Sequence, residues 1–279
     1  MTQPFQLPAL TLECPSVWES LVDQTAKAVS KAGFTDVVIG LSGGLDSSAT
    51  AVIAVDAFGA EHVHGVLMPS PYSSQGSITD TLTLASQLGI QTDLIPITPV
   101  FDAFKAALAP VFQDCETDIT EENLQARIRG TLLMALSNKF GYFVLATGNK
   151  SEALAGYATL YGDMVGSYDP VGALYKTHLY ELCRWRNSTS SHMLIPTEIL
   201  EKEPSAELSP GQLDRHALPP YEVLDAIYYL YVDKGVSRAD LVDGGFSEEE
   251  VENAIRRMDA SVFKRQYAAP IPKLHIYQS

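Results

Sequence analysis

The sequence predicts an α/β fold in which a parallel sheet carries helices on both faces, with further helices at the C-terminal end. Three observations point there. Strand-like and helix-like stretches alternate through residues 16–150. The strand-like stretches are almost continuously apolar, as strands covered on both faces are. Helix-opening residues precede the periodic stretches and glycines close several of them. The first helix is expected to open on Ser16-x-x-Glu19, a capping box, and to close at Gly33. Residues 36–41 form the first strand, and 47–58 a helix closing at Gly59. Strands at 62–68 and 91–97 flank a helix opened by Ser77-x-x-Asp80 and closed at Gly89. A long helix from Thr120 to about Lys139 places its acids at the N-terminal end, and a fourth strand covers 142–147. Past 150 the pattern loosens: loop at 156–172, a helix at 174–186, a proline-rich lid at 202–220, and helices at 221–233 and 247–260, the last opened by Ser247-x-x-Glu250. The whole reads as a single domain, with a nucleotide-binding core at 16–150 and lid loops and C-terminal helices at 151–279.

Composition narrows the class. Of 279 residues, 46% are hydrophobic and 19% charged, which excludes a disordered or low-complexity chain. No apolar run approaches the ~18 residues of a membrane span. The opening MTQPFQLPALTLECP has no basic region followed by an apolar one, so no leader peptide is expected. Cys14, Cys115 and Cys183 have no zinc spacing and read as free thiols in a reducing, cytoplasmic setting. With 34 acidic and 19 basic residues the net charge is −15, a field that repels nucleic acid and anionic membrane. Anionic substrates would then need the few basic residues gathered at the site, so Arg127, Arg129, Lys150, Lys176, Lys202 and Lys264 are the ones to follow.

The centre of the sequence is VVIGLSGGLDSSATAVIAV at 37–55. A buried strand ends in a turn running from Gly40 and Leu41 through Ser42, Gly43, Gly44, Leu45, Asp46, Ser47 and Ser48, and a helix begins at once. In a parallel sheet such a turn lies at the carboxyl edge, where ligands bind. Paired glycines let the backbone curl close to a ligand, and the helix N-terminus adds unpaired amides and positive potential. Together with the serine hydroxyls these make a phosphate cradle. Asp46 is the unexpected member. It either caps the helix or meets the phosphates through a hard cation such as Mg²⁺. No lysine follows the glycines, so the loop is not of the G-x-x-x-x-G-K-[ST] type. Gly40-Leu-Ser42-Gly-Gly44 also satisfies G-x-S-x-G, the nucleophile elbow of α/β-hydrolases, which would make Ser42 an acyl nucleophile served by a downstream histidine.

SGGLDSS resembles the pyrophosphate loop of the N-type ATP pyrophosphatases, whose fold is of the adenine-nucleotide alpha-hydrolase kind, which implies a parallel sheet of about five strands. Four further blocks resemble NAD synthetases of the ammonia-dependent type: MPSPYSSQGS at 68–77, ENLQARIR at 122–129, ATGNKSE at 146–152 with YGD at 161–163, and KEPSAEL at 202–208 with LPPYEVLD at 218–225 and FKR at 263–265. The resemblance implies a ligase that amidates deamido-NAD with ammonia, splitting ATP to AMP and pyrophosphate. It places Gly40–Ser47, Thr147, Lys176 and Ser205 at ATP, Arg127 and Lys264 at deamido-NAD, Asp46 and Glu152 on Mg²⁺, and Asp163 near the site as a candidate base. As a turn-forming residue beside Gly162, Asp163 has an equally good local explanation. Arg127 and Arg129 are about 200° apart around a helix, so one can face a ligand while the other faces a partner chain or the surface.

The family is homodimeric, which implies the same here. Leu160 and Phe263 depart from the lysine and histidine that some bacterial members carry, and Asp214-Arg215 stands where an acidic pair is common. These segments look closer to the synthetase half of glutamine-dependent NAD synthetases, while residues before 36 leave no room for a glutaminase, so a separate glutaminase subunit is one expected source of ammonia. The rival readings are another N-type ATP pyrophosphatase amidating a different substrate, a non-catalytic nucleotide-binding module, and the hydrolase with Ser42 as nucleophile. A nucleic-acid-modifying member of the superfamily would suit a basic tail better than a charge of −15.

Overall fold

The computed structural model describes residues 13–276. The reading of no leader peptide falls on the opening segment, of which residues 1–12 lie outside the described residues. Helix α1 (Cys14–Lys31) starts two residues before the expected box: Glu13 occupies the cap position and Pro15 the first turn. The Ser16 hydroxyl donates back to the Glu13 carbonyl (3.0 Å), so it does not cap. Strand β1 (Val37–Gly40), helix α2 (Leu45–Phe58) and strand β2 (Val63–Leu67) follow, then α3 (Gln75–Leu88) and β3 (Gln91–Leu94). Helix α3 opens three residues before the anticipated start, because Ser74 takes the capping role and accepts from the Ser77 amide (3.1 Å). That leaves the Ser77 side chain free for a long-range partner.

Helix α4 (Thr98–Leu108) was not expected; a proline in its first turn starts it. Helix α5 (Ile119–Phe140) is opened by a capping box between Asp118 and Glu121, and β4 (Phe143–Leu145) completes the sheet. The later helices are α6 (Lys150–Ala155), α7 (Lys176–Thr189), α8 (Thr197–Glu201), α9 (Tyr221–Tyr228, prolonged by a π turn over Tyr229–Asp233), α10 (Arg238–Asp243), α11 (Glu248–Ala260) and α12 (Val262–Arg265). The Ser247–Glu250 box opens α11 as anticipated.

The described sheet has four parallel strands in the order β3-β2-β1-β4, against about five expected. Beyond β4 the pairing shrinks to one parallel bridge, Leu145 to Tyr168. Gly166 lies so close to β4 that a Cβ there would stand 2.6 Å from the Ala146 amide nitrogen. Pro170, two residues after the bridge, has no amide to extend the ladder.

Strands β1, β2 and β4 are buried on both faces, as their apolar character requires, whereas the edge strand β3, with the sequence QTDL, is largely exposed. Val37 and Ile39 enter one core with residues of α1, α2, α3 and α7. Val38, Val66 and Val144 enter another with α4 and α5, including Phe101 and Ile128. A third core, built from Leu154, Tyr175, Leu224, Tyr228 and Ile255, holds the C-terminal helices together. Cys14 and Cys183 are buried, Cys115 is exposed, and all three are free thiols. No helix among the described residues is long and apolar enough to cross a membrane.

Candidate active site

The turn between β1 and α2 sits at the carboxyl edge of a central strand, as the sequence requires. Gly43 has φ +76°, and a Cβ on it would lie 2.5 Å from the Ser77 carbonyl oxygen, so glycine is demanded by backbone and by space. Gly44 caps α2 in an extended conformation. The Ser42 and Ser47 hydroxyls are 3.1 Å apart, and the Gly44 amide donates to Ser42 Oγ (3.3 Å). Ser48 is buried and donates back to the Gly44 carbonyl (2.7 Å). The exposed Ser42 and the amides of the first turn form the open side of the cradle; Ser47 also reaches the cavity wall, although it is buried and its hydroxyl donates to the Gly44 carbonyl (3.2 Å).

The turn opens into a cavity of about 580 Å³. Gly40, Leu41, Ser42, Gly44, Leu45, Asp46 and Ser47 wall it from one side; Gly43 lies beneath, against Ser77. Thr147, just past the end of β4, and Glu152, Asp163, Lys176, Ser205 and Lys264 join them. Of the six basic residues followed from the sequence, Arg129, Lys176, Lys202 and Lys264 line the cavity. Lys150 instead pairs with Asp233 (2.7 Å) and lies over the Tyr175 ring (4.4 Å), tying α6 to the π turn.

Asp46, Glu152 and Lys176 meet at the cradle's mouth. Lys176, 3% exposed, bonds the Asp46 carboxylate and lies 3.6 Å from Glu152 Oε1. Asn149 completes the arrangement: its side-chain amide donates to Asp46 Oδ1 (2.7 Å), and its carbonyl accepts from the Glu152 backbone (2.9 Å). Asp46 is thus not the cap of α2. Burial opposes charge on Lys176, yet Asp46 and Glu152 hold its ammonium above its ordinary range. Burial, then the Asp46 charge, pushes the Glu152 carboxyl well up, against the pull of Lys176.

Among the described residues no group of three or more His, Cys, Asp or Glu side chains is placed to hold a metal unaided. Two carboxylates from separate helices beside a phosphate cradle do suit Mg²⁺, which commonly binds one or two carboxylates plus phosphate oxygens and waters. The residues present fit a metal that arrives with a nucleotide.

The arginine pair diverges as the helix geometry demands. Arg129 lines the cavity, donates to the Met68 carbonyl (3.0 Å) and is pushed down to about 10 by burial. Arg127 is exposed, outside the cavity wall, and donates to the Leu160 carbonyl (3.2 Å). Lys264 Nζ holds the Gly156 and Ala158 carbonyls (2.8 and 2.7 Å) and is lowered by burial, while Phe263 beside it is 52% exposed. Asp163 accepts from the Thr159 amide (2.6 Å), the loop-shaping bond that its local explanation predicts, and its crowded place in the wall raises it to about 6. Ser205 donates to the Gln212 carbonyl and accepts from the Glu207 amide (3.2 Å), folding the cover segment.

Three wall residues had no role assigned from the sequence. Asn149 was legible as the first residue of an N-x-x-E capping box, which the structure forms with Glu152. Asp169, raised by burial to about 7, accepts from the Gly148 amide (3.1 Å), and Asp214 accepts from the Tyr221 hydroxyl (2.8 Å); neither has a local sequence signal. No histidine is among the described residues that wall the cavity, so the base that a Ser42 nucleophile needs is not at hand.

A family model described as NAD synthase matches residues 17–268. The chain is 49% identical over 259 residues to a glutamine-dependent NAD(+) synthetase of Synechocystis, covering 93% of this chain and 46% of that protein. It is similar to the structure of a glutamine-dependent NAD+ synthetase from Acinetobacter baumannii in complex with ADP (44% identity, TM-score 0.66), over 92% of this chain and 46% of that one. It is also similar to an NH3-dependent NAD synthetase from Campylobacter jejuni (27% identity, TM-score 0.74), over 90% of this chain and 96% of that one. The chain spans about half the length of the curated relatives it matches.

Proposed function

The chain belongs to the NAD synthase family, and on that premise we propose that it amidates deamido-NAD with ammonia, converting ATP to AMP and pyrophosphate through an acyl adenylate. The observation that carries this reading is the meeting of Asp46, Glu152 and Lys176 at the mouth of the Ser42–Ser48 turn. The nicotinate carboxylate attacks the α-phosphorus, and pyrophosphate leaves into the turn. The first amides of α2 and the Ser42 and Ser47 hydroxyls receive its oxygens, with Thr147, Lys176 and Ser205 at the nucleotide. Asp46 and Glu152 would hold Mg²⁺, which would supply charge neutralisation there. Ammonia then attacks the acyl carbon and AMP departs. Asp163, with its carboxyl near neutrality, is the candidate that takes the proton from ammonium.

Arg127 and Lys264 are assigned to deamido-NAD. A homodimer is supported by exposed apolar groups: Tyr161, next to the Leu160 whose carbonyl Arg127 holds, lies 6.3 Å from the Tyr267 ring, and Tyr161, Phe263 and Tyr267 are 63%, 52% and 59% exposed. The free thiols support a reducing, cytoplasmic setting. Incubation with ATP, Mg²⁺, ammonium and deamido-NAD is expected to yield NAD, AMP and pyrophosphate in equal amounts. ATP left intact would reject the reading in favour of a binding module, and turnover only with another carboxylate would favour a different amidation. Repeating the assay with glutamine distinguishes free ammonia from a supply by a separate glutaminase subunit.

A further inference from the structure

Residues 202–208 and Asp214 form one side of the cavity wall. This cover is tied to α5 at one flank, where Gln125 donates to the Leu208 carbonyl (2.9 Å) and Gln212 to Glu122 (3.1 Å). At the other flank it is tied to the start of α3 by Glu207. The Glu207 carboxylate accepts from the Ser74 amide (3.0 Å), the Ser74 hydroxyl (2.9 Å) and the Ser77 hydroxyl (2.7 Å), and pairs with Lys202 (3.2 Å). Three donors converge on this side chain from 130 or more residues away, and Lys202 adds a fourth from within the cover itself. Glu207 also has φ +49°, a left-handed conformation that a non-glycine residue keeps only where its surroundings hold it. Ser77 is the residue whose backbone packs against Gly43 beneath the phosphate cradle. The cover is therefore fastened to the same residue that supports the cradle.

We propose that Glu207 is a positioning residue that latches the 202–214 cover onto Ser74 and Ser77 and so keeps water from the acyl adenylate. This rests on the reaction proposed above. Without the latch, water adds to the acyl carbon, the bond from that carbon to the phosphate oxygen breaks, and AMP leaves. The carboxylate of deamido-NAD is regenerated and a proton passes to solvent, so ATP is consumed without NAD.

The measurement is AMP formed per NAD formed, in the wild-type protein, in Glu207→Ala, in Glu207→Gln and in a Ser74→Ala/Ser77→Ala double variant that removes the receiving side. The wild type is expected to give one AMP per NAD. Glu207→Ala and the double variant are expected to give a severalfold excess of AMP at low ammonium, falling towards one as ammonium rises and outcompetes water. Glu207→Gln, which keeps an acceptor oxygen, should fall between. Exchange of pyrophosphate into ATP, which reports adenylation alone, should stay within about threefold of wild type. A ratio that stays at one in Glu207→Ala and in the double variant overturns the latch, whether rates are unchanged or fall in parallel as a merely structural defect would make them. A wild type that makes no NAD at all overturns the underlying reaction instead.

Discussion

Asp46 and Glu152 share one lysine, and the crowding shows in the Glu152 carboxyl, which burial and the Asp46 charge push up; a further cation at the phosphate cradle would relieve it. Removing Asp46 leaves Lys176 with Glu152, at 3.6 Å, as its carboxylate partner and removes one of the two proposed metal ligands. Asp46→Ala is expected to lower pyrophosphate release by about 10²-fold or more, the scale on which electrostatic groups act at developing charge. A near-wild-type rate would show that the pair carries no metal. Arg127 makes the opposite kind of claim, since it lies outside the cavity wall and donates to a backbone carbonyl. Arg127→Ala is expected to raise the KM for deamido-NAD about tenfold with a smaller change for ATP. The reverse pattern would remove Arg127 from the dinucleotide site.

At the scale of elements, the strand–turn–helix holds its shape through a glycine that nothing else can replace. Gly43→Ala places a methyl into the Ser77 backbone at a φ that already costs about 1–2 kcal/mol for an L-residue. The expected result is a lower melting temperature together with a higher KM for ATP; an unchanged ATP KM would mean that the cradle tolerates displacement. This element was legible from sequence because its geometry is local: glycines, serines and a following apolar helix write it into seven residues. The Asp46–Glu152 pair was legible only through resemblance, since no spacing links residues from separate helices. The latch was not legible, because Glu207 and Ser77 meet across 130 residues with no periodicity between them. Helix α4 is hidden in the sequence because Pro96 and Pro99 punctuate the apolar stretch that runs into it, and only Phe101 is buried along its length. The fifth strand that the resemblance implies is reduced to one bridge in the segment read from the sequence as loop, where Gly166 packs against Ala146 and Pro170 has no amide to extend a ladder.

Across the whole molecule, an acidic surface surrounds a cavity that gathers Arg129, Lys176, Lys202 and Lys264, which focuses anionic substrates inward. The same interior holds carboxyls that burial raises: Asp169 to about 7, and Asp225, which accepts from the Thr177 amide (2.9 Å), to about 6. A raised carboxyl keeps its proton in the fold at pH values where the unfolded chain has released it. Its contribution to stability is complete below the ordinary Asp value near 4 and is lost as pH rises through the folded value. Glu207 runs the other way. Burial would raise it, but its bonds from Ser77 and Ser74 hold it low, so its contribution persists above the ordinary value and is lost on acidification. The unliganded protein is therefore expected to be most stable near pH 5, and less stable at pH 8 by ~2 kcal/mol or more. Denaturant unfolding at the two pH values checks this. Repetition at about 0.5 M salt screens the −15 net charge, whose self-repulsion has the same sign. Asp169→Asn should shrink the difference that survives in salt. A difference that vanishes in salt, or one that Asp169→Asn leaves intact, would place the pH dependence in the surface charge rather than in the buried acids of the cavity wall.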